Sequence, residues 1–253
     1  QYGKFYRSFK NASWYINQKN IFEENAEKNG FEKVSDQKLE VSKKIKEYIA
    51  GGGFLFAMCS ATDTFDIALA AENVDICKIM FDGDKMDDNA QEKLNFNNTL
   101  AFQNFNIIED PNKYEFSDID MTEKRRNLIE EENDYFTLFE FSAKWDPVPT
   151  MLCQNHTRII KGFIGQTTSF SKELIKPNVI IMGENKSLNE ARYIHGKFGK
   201  GTWTFYGGHD PEDYKHKIGD PKTELELYPN SPGYRLILNN ILFPAAKKKK
   251  QKT

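Results

Sequence analysis

Gly51-Gly52-Gly53-Phe54-Leu55-Phe56-Ala57-Met58-Cys59-Ser60-Ala61-Thr62-Asp63 is the stretch that decides the fold. Phe54 to Met58 is a short apolar run bounded by glycines, the pattern of a strand covered on both faces. Behind it, Thr62 or Asp63 is placed to cap a helix whose apolar residues Phe65, Ala68 and Leu69 recur at helical spacing. Cys59 therefore falls at the turn between strand and helix. Ala57 and Ala61 flank it with small side chains, which a sharp nucleophile elbow needs because larger neighbours would collide. A helix N-terminus behind the sulfur favours the thiolate, the reactive form of cysteine.

A second stretch completes the chemistry. Gly199-Lys200-Gly201-Thr202-Trp203-Thr204-Phe205-Tyr206-Gly207-Gly208-His209-Asp210-Pro211-Glu212 reads as a turn, a strand, and a Gly-Gly break carrying a histidine and acids. An elbow cysteine followed far downstream by a strand-end histidine and an acid is the layout of a thiol nucleophile, a base and an orienting carboxylate. Cys59, His209 and Glu212 are the expected trio, with Asp210 competing for the orienting role. The Ser60 N–H is the expected oxyanion donor, and Thr62, Asp63 and Tyr206 are placed at the pocket by adjacency. The bland alternative makes His209 a loop residue that caps the strand end. The preceding glycines favour function, because they let backbone approach a ligand closely.

On these residues the chain resembles the class I glutamine amidotransferase-like superfamily. Members carry a cysteine elbow in a flavodoxin-like α/β domain and a late strand ending in a His-Pro-Glu-type motif. Cys59, His209 and Glu212 fall on those positions. The elbow glycines of the superfamily are Ala57 and Ala61 here, and Asp210 lengthens the spacing from histidine to acid. Segments Gly51–Glu72, Ile180–Glu212 and Asn230–Thr253 are similar to the C-terminal part of a bacterial family labelled "asparagine synthetase B". The processed N-terminal cysteine and Ser-Gly-Gly-x-Asp-Ser loop of the synthetase itself do not occur here, and Gln1 heads the chain. The resemblance implies a flavodoxin-like sheet with helices on both faces and Cys-dependent hydrolysis of an amide, with no cofactor. It also implies that the first βα units lie upstream of Gln1, with a Gly-rich loop that would supply the second oxyanion donor. A complete amidotransferase needs a synthetase or other protein partner to receive ammonia.

Bulk properties set the class. The 253 residues are 39% hydrophobic and 28% charged, with a net charge of −2. This fits one domain over 1–253 that buries a sizeable core under a polar surface. The charge gives no electrostatic case for nucleic acid or an anionic membrane. No apolar run approaches the ~20 residues of a membrane span, and no secretory signal is visible. The compartment leans cytoplasmic, with the periplasm left open because Gln1 is not a start residue. Cys59, Cys77 and Cys153 form no CxxC or zinc spacing, and their odd number argues against a disulfide framework. Cys77 and Cys153 read as core packing.

Along the chain, residues 1–50 carry no strand. Ser35–Ala50 is a helix with Val41, Ile45, Tyr48 and Ile49 on one face, stopped by Gly51–Gly53. Residues 81–134 read as an insertion. Within it, the acidic run Asp82–Asp88 fails the calcium-loop template at Met86, Asp87 and Lys93. Strands are expected at Tyr135–Phe141, Val148–Cys153, Arg158–Phe163, Thr167–Phe170 and Val179–Met182, then a hairpin of Asn189–Gly196 and Gly201–Tyr206. Ser231-Pro232-Gly233 opens a last helix with Leu236, Ile237, Asn240 and Ile241 inward. Residues 246–253 form a basic, disordered tail.

Other chemistries fit less well. His209, Asp210, Glu212, Asp213 and His216 offer mixed metal ligands, but no His pair shares a helix face, and no metal is expected. Phosphate-cradling loops are absent, because Gly51–Gly53 lacks the following Lys-Ser/Thr. His195 reads as structural. Three functions stay open: a Cys-dependent amide hydrolase, a non-catalytic module binding a small molecule or carbohydrate, and a structural or partner-binding domain.

Overall fold

The computed structural model describes residues 6, 8–139, 157–216 and 219–242. Helices α1 (Ser13–Lys28) and α2 (Val34–Ala50) lead into strand β1 (Phe54–Met58), a 3₁₀ turn (Cys59–Ala61) and α3 (Asp63–Ala70). After a long irregular passage come α4 (Thr122–Arg126), β2 (Tyr135–Leu138), β3 (Ile159–Lys161) and β4 (Phe170–Ser171). Strands β5 (Ile180–Asn185), β6 (Glu190–Phe198) and β7 (Gly201–Tyr206) follow, and α5 (Pro232–Leu242) closes the order. The protein is α/β.

The sheet runs β1-β7-β6-β5-β2-β3, with β4 paired to β6. β1 and β7 are parallel, whereas the other described pairs are antiparallel. The reason is local. β6 and β7 are joined by the tight turn around Gly199, which has φ +58°, so they must run antiparallel. β1 reaches β7 only after some 140 residues of chain, long enough for the crossover a parallel pair requires. The sheet is therefore mixed, and the parallel order that a flavodoxin-like sheet implies occurs at β1–β7.

Strand alternation divides the interior into two cores. Trp203 and Phe205 face α2 and α3, where they cluster with Ile49, Phe65 and Leu69. Tyr206 and Tyr193 face the other way and meet Phe136, Met182 and Leu236 of α5. Helices thus cover both faces. Each fully buried large side chain contributes roughly 1.5–3 kcal/mol. In α5, Leu236 and Asn240 are inward, but Ile241 is 64% exposed, and Gly233 and Asn239 are buried in its place. The Ser231 hydroxyl accepts the Tyr234 N–H at 3.2 Å, as a cap should. Thr62 occupies the corresponding position at α3 without capping it, because its hydroxyl donates to the Cys59 carbonyl at 2.6 Å.

Residues 81–134, read from sequence as an insertion, supply Leu94, Leu100, Phe102, Phe105 and Ile119 to the first core. Asp66 of α3 fastens this passage, accepting the N–H groups of Leu100, Ala101 and Phe102 at 2.7–2.8 Å. Burial pushes its carboxyl up to about 6 despite those three bonds. A second buried polar knot ties α4 to the sheet. Arg125 donates to Asp134 at 2.6 Å and to Glu190 at 3.2 Å, and Arg192 lies within 4 Å of both acids. Losing one member of so dry a network costs about 3–5 kcal/mol. Val148–Cys153, His156, Gln1–Gly3 and the 246–253 tail lie outside the described residues.

Candidate active site at the Cys59 elbow

β1 and β7 are neighbours in parallel register, with Met58 opposite Tyr206. Cys59 and the Gly207-Gly208-His209 segment therefore leave the sheet at the same end. Cys59 has φ +55°, a left-handed backbone that a non-glycine residue adopts rarely and at a cost of ~1–3 kcal/mol. Met58 before it is extended, and the 3₁₀ turn and α3 begin at once. This is a strained strand-to-helix turn, the geometry on which a nucleophile elbow is built. The Thr62 hydroxyl and N–H both bond the Cys59 carbonyl, and the Thr64 hydroxyl bonds the Ser60 carbonyl, so the turn is fixed from behind.

A loop closes over the sulfur where the sequence leads one to expect a strand at Thr167–Phe170; the strand is only Phe170–Ser171. The Gln166 N–H donates to Cys59 Sγ at 3.0 Å. A Cβ on Gly165 would stand 2.9 Å from that sulfur and 2.8 Å from Gly208 Cα, so only glycine fits between the two strand ends. Gly208, with φ +77°, donates its N–H to the Thr167 carbonyl at 2.8 Å, and a Cβ there would strike the Phe163 ring. Two side-chain bonds anchor the loop. Thr167 donates to Asp63 Oδ1 at 2.8 Å, and the Thr168 N–H donates at 3.0 Å to the Thr122 hydroxyl, which itself donates to Asp120 at 2.6 Å.

Asp63 is wholly buried, and its Oδ2 has no hydrogen-bond partner. Burial pushes its carboxyl up to about 7, opposed by the Thr167 bond. Burial, then the charge of Asp63, raises Asp120 well above the usual carboxylate range. Tyr114 completes this electronegative side. Burial, then Cys59 and Asp120, push its hydroxyl up to about 12.

Gly165 and Gln166 also line a cavity of about 650 Å³, with Tyr114, Tyr214, His209 and His216. His209 is half-buried, and burial followed by the nearby His216 lowers its pKa, with Asp210 and Asp213 pulling the other way. Their rings meet edge to face at 5.7 Å. Below the ordinary histidine range, the ring is neutral at pH 7 and free to accept a proton.

The structure thus brings Cys59, Ser60, Thr62, Asp63 and His209 to one end of the sheet. It separates the others. Tyr206 is fully buried in the second core against Tyr193 and Phe163, because the strand pleat that points Phe205 at one face points Tyr206 at the opposite one. Asp210 accepts from the Tyr234 and Thr223 hydroxyls and from the Glu212 N–H, so its oxygens are committed away from the imidazole. Among the described residues, no hydrogen bond joins His209 to Cys59, Glu212 or Asp210. The residues that sequence reasoning missed are Tyr114, Asp120, Thr122 and the 165–168 loop. The signal was available in Gly165-Gln166-Thr167-Thr168-Ser169, a polar run without the apolar alternation of a strand.

Among the described residues, two clusters offer metal-ligating atoms within 4.8 Å of one another: Asp210, Asp213 and His216, and Asp75, Cys77 and Asp82. In the second, Lys33 Nζ already lies 3.0 Å from Asp75. In the first, His216 is paired with Asp213 at 2.6 Å. No protein-family model, curated protein or solved structure matches this chain.

Proposed function

We propose that this protein is a glutamine amidotransferase-like, Cys-dependent amide hydrolase, with Cys59 as nucleophile and His209 as base. The observation that supports it most is the left-handed backbone of Cys59 at the tip of β1, on the strand adjacent and parallel to the one that delivers His209. A flavodoxin-like reading of the domain rests on the same β1–turn–α3 unit. In the reaction, His209 takes the thiol proton as Sγ bonds the amide carbon, and the Ser60 N–H receives the oxyanion. Collapse breaks the C–N bond, His209 returns its proton to the leaving nitrogen, and ammonia or an amine departs. Water then cleaves the thioester, giving the acid and restoring the thiol. An acceptor protein for the ammonia would complete an amidotransferase.

The test is ammonia release from glutamine and a panel of primary carboxamides by the wild type, Cys59→Ala and His209→Ala. Turnover that both substitutions abolish supports the reading, and turnover unchanged in Cys59→Ala overturns it.

One observation favours a second reading. Cys59 and His209 are not hydrogen-bonded, yet His209, Gly165 and Gln166 line a cavity of about 650 Å³, which suits a non-catalytic module for a small molecule or carbohydrate. Ligand binding that survives Cys59→Ala, with no turnover in the wild type, would select it.

A further inference from the structure

We infer that the side-chain carboxamide of Gln166 is an oxyanion donor of this site, beside the Ser60 N–H; the inference rests on the hydrolase reading. Three observations converge on Gln166. Its main-chain N–H is 3.0 Å from Cys59 Sγ, which places the residue against the reacting atom. The residue is one of those lining the cavity of about 650 Å³ from which a substrate would arrive. Its Nε2 is buried, in a residue only 9% exposed, and has no hydrogen-bond partner.

A buried amide nitrogen without an acceptor loses ~1–3 kcal/mol of hydrogen bonding, so its native state calls for an oxygen that arrives with the ligand. An oxyanion formed on Sγ is such an oxygen, and its charge strengthens the bond it accepts. The backbone beneath Gln166 is held as preorganised stabilisation requires. Thr167 is fastened to Asp63, Thr168 to Thr122 and through it to Asp120, and Gly165 is wedged between Sγ and Gly208. Asp63 and Asp120 are positioning residues in this scheme, and Gln166 is the catalytic one.

The test compares two reactions of the same thiol in the full chain. p-Nitrophenyl acetate acylates through a tetrahedral oxyanion: Sγ bonds the carbonyl carbon, the π pair moves to oxygen, and collapse expels p-nitrophenolate, leaving an acetyl thioester. Iodoacetamide alkylates the same sulfur by displacing iodide, with no oxyanion. Gln166→Leu removes the side-chain donor and keeps the main-chain N–H. The expected result is an acylation rate ~10²–10³-fold lower, with alkylation within about twofold of wild type. Gln166→Met, a neutral side chain of similar length with no donor, is expected to show the same loss of acylation with alkylation unchanged, and it serves as the test if the leucine variant does not fold.

Equal acylation by wild type and variants overturns the inference while leaving the hydrolase reading standing. Equal losses of acylation and alkylation also overturn it, because they report a disturbed thiol. If wild-type Cys59 is acylated no faster than a small free thiol, the hydrolase reading fails and the inference falls with it.

Discussion

Cys59 and Cys77 are both free thiols and both half-buried, yet the chain treats them in opposite ways. Cys59 sits on a left-handed residue at a strand tip, receives a main-chain N–H on its sulfur, and has Gly165 packed against it. Cys77 lies in the irregular passage after α3, beside an apolar cavity of about 320 Å³ lined by Ile67, Ile76, Phe81 and Phe116. Burial, then Asp82 and Asp75, push its thiol up to about 11. Exposure therefore does not separate them. Backbone geometry and the main-chain N–H held at the sulfur do.

The largest expected effect follows from removing one thiol and then the other. Cys59→Ala should lower amide turnover by about 10⁴-fold or more, and His209→Ala by ~10²–10⁴-fold. Cys77→Ala should change it by less than about twofold. Ammonia release under saturating carboxamide measures all three. Comparable losses from the two cysteine variants would erase the distinction drawn above.

The next contrast needs no substrate. At pH 7 a thiol with a pKa of about 11 is thiolate in ~10⁻⁴ of molecules, against a few per cent for an ordinary one. Iodoacetamide should label Cys77 about 10²-fold more slowly than a small free thiol, and more slowly than Cys59, read by mass spectrometry of the two peptides over time. Equal labelling would mean that neither burial nor the carboxylates around Cys77 hold its thiol up.

Much of this contrast was legible in the sequence, because it rests on local signals. The run Phe54–Met58 became β1 residue for residue, and the Gly51–Gly53 stop and the hairpin into Gly201–Tyr206 followed from glycine placement. The β1–β7 neighbourhood was implied by a cysteine and a histidine that both follow strands. What could not be read is non-local. Asp66 fastening Leu100–Phe102, and Asp63 and Asp120 anchoring the 165–168 loop, join residues far apart in the chain. No period or spacing encodes such pairs. Tyr206 was misplaced for a simpler reason: adjacency along a strand alternates faces, so the residue nearest the Gly-Gly break faces the second core.

Carboxylates accompany both thiols, and replacing them sharpens the comparison on stability. Asp63 is buried without a cation partner, whereas Asp75 is paired with Lys33 at 3.0 Å. The folded pKa of Asp63, about 7, lies above the unfolded carboxylate value near 3.9. The folded state therefore holds the proton more tightly. The destabilising cost is absent below the unfolded value, grows as pH rises between the two, and is complete above about 7. Asp63→Asn keeps an acceptor for Thr167 and removes the charge. It should raise stability at pH 8 by about 1–3 kcal/mol and change little at pH 4. Asp75→Asn, which removes a partly exposed ion pair, should lower stability at pH 8 by no more than about 1 kcal/mol. Urea midpoints at the two pH values decide both, and a stabilising Asp75→Asn would break the contrast.

The smallest effect tests the cause assigned to Cys77 itself. Burial is the first reason its thiol is raised, and the charges of Asp82 and Asp75 come after it, opposed by Lys33. Replacing Asp82 by Asn removes one like charge and leaves the apolar surroundings, so alkylation of Cys77 should accelerate several-fold without approaching the rate of Cys59. A looser structure would also speed the reaction, which makes a second variant necessary. Lys33→Met takes away the cation that favours the thiolate and should slow Cys77 by several-fold. Loosening accelerates both variants, whereas electrostatics moves them in opposite directions. Cys77 alkylation rates measured side by side therefore separate the two causes, and acceleration in Lys33→Met would show that access, not charge, sets the reactivity of this thiol.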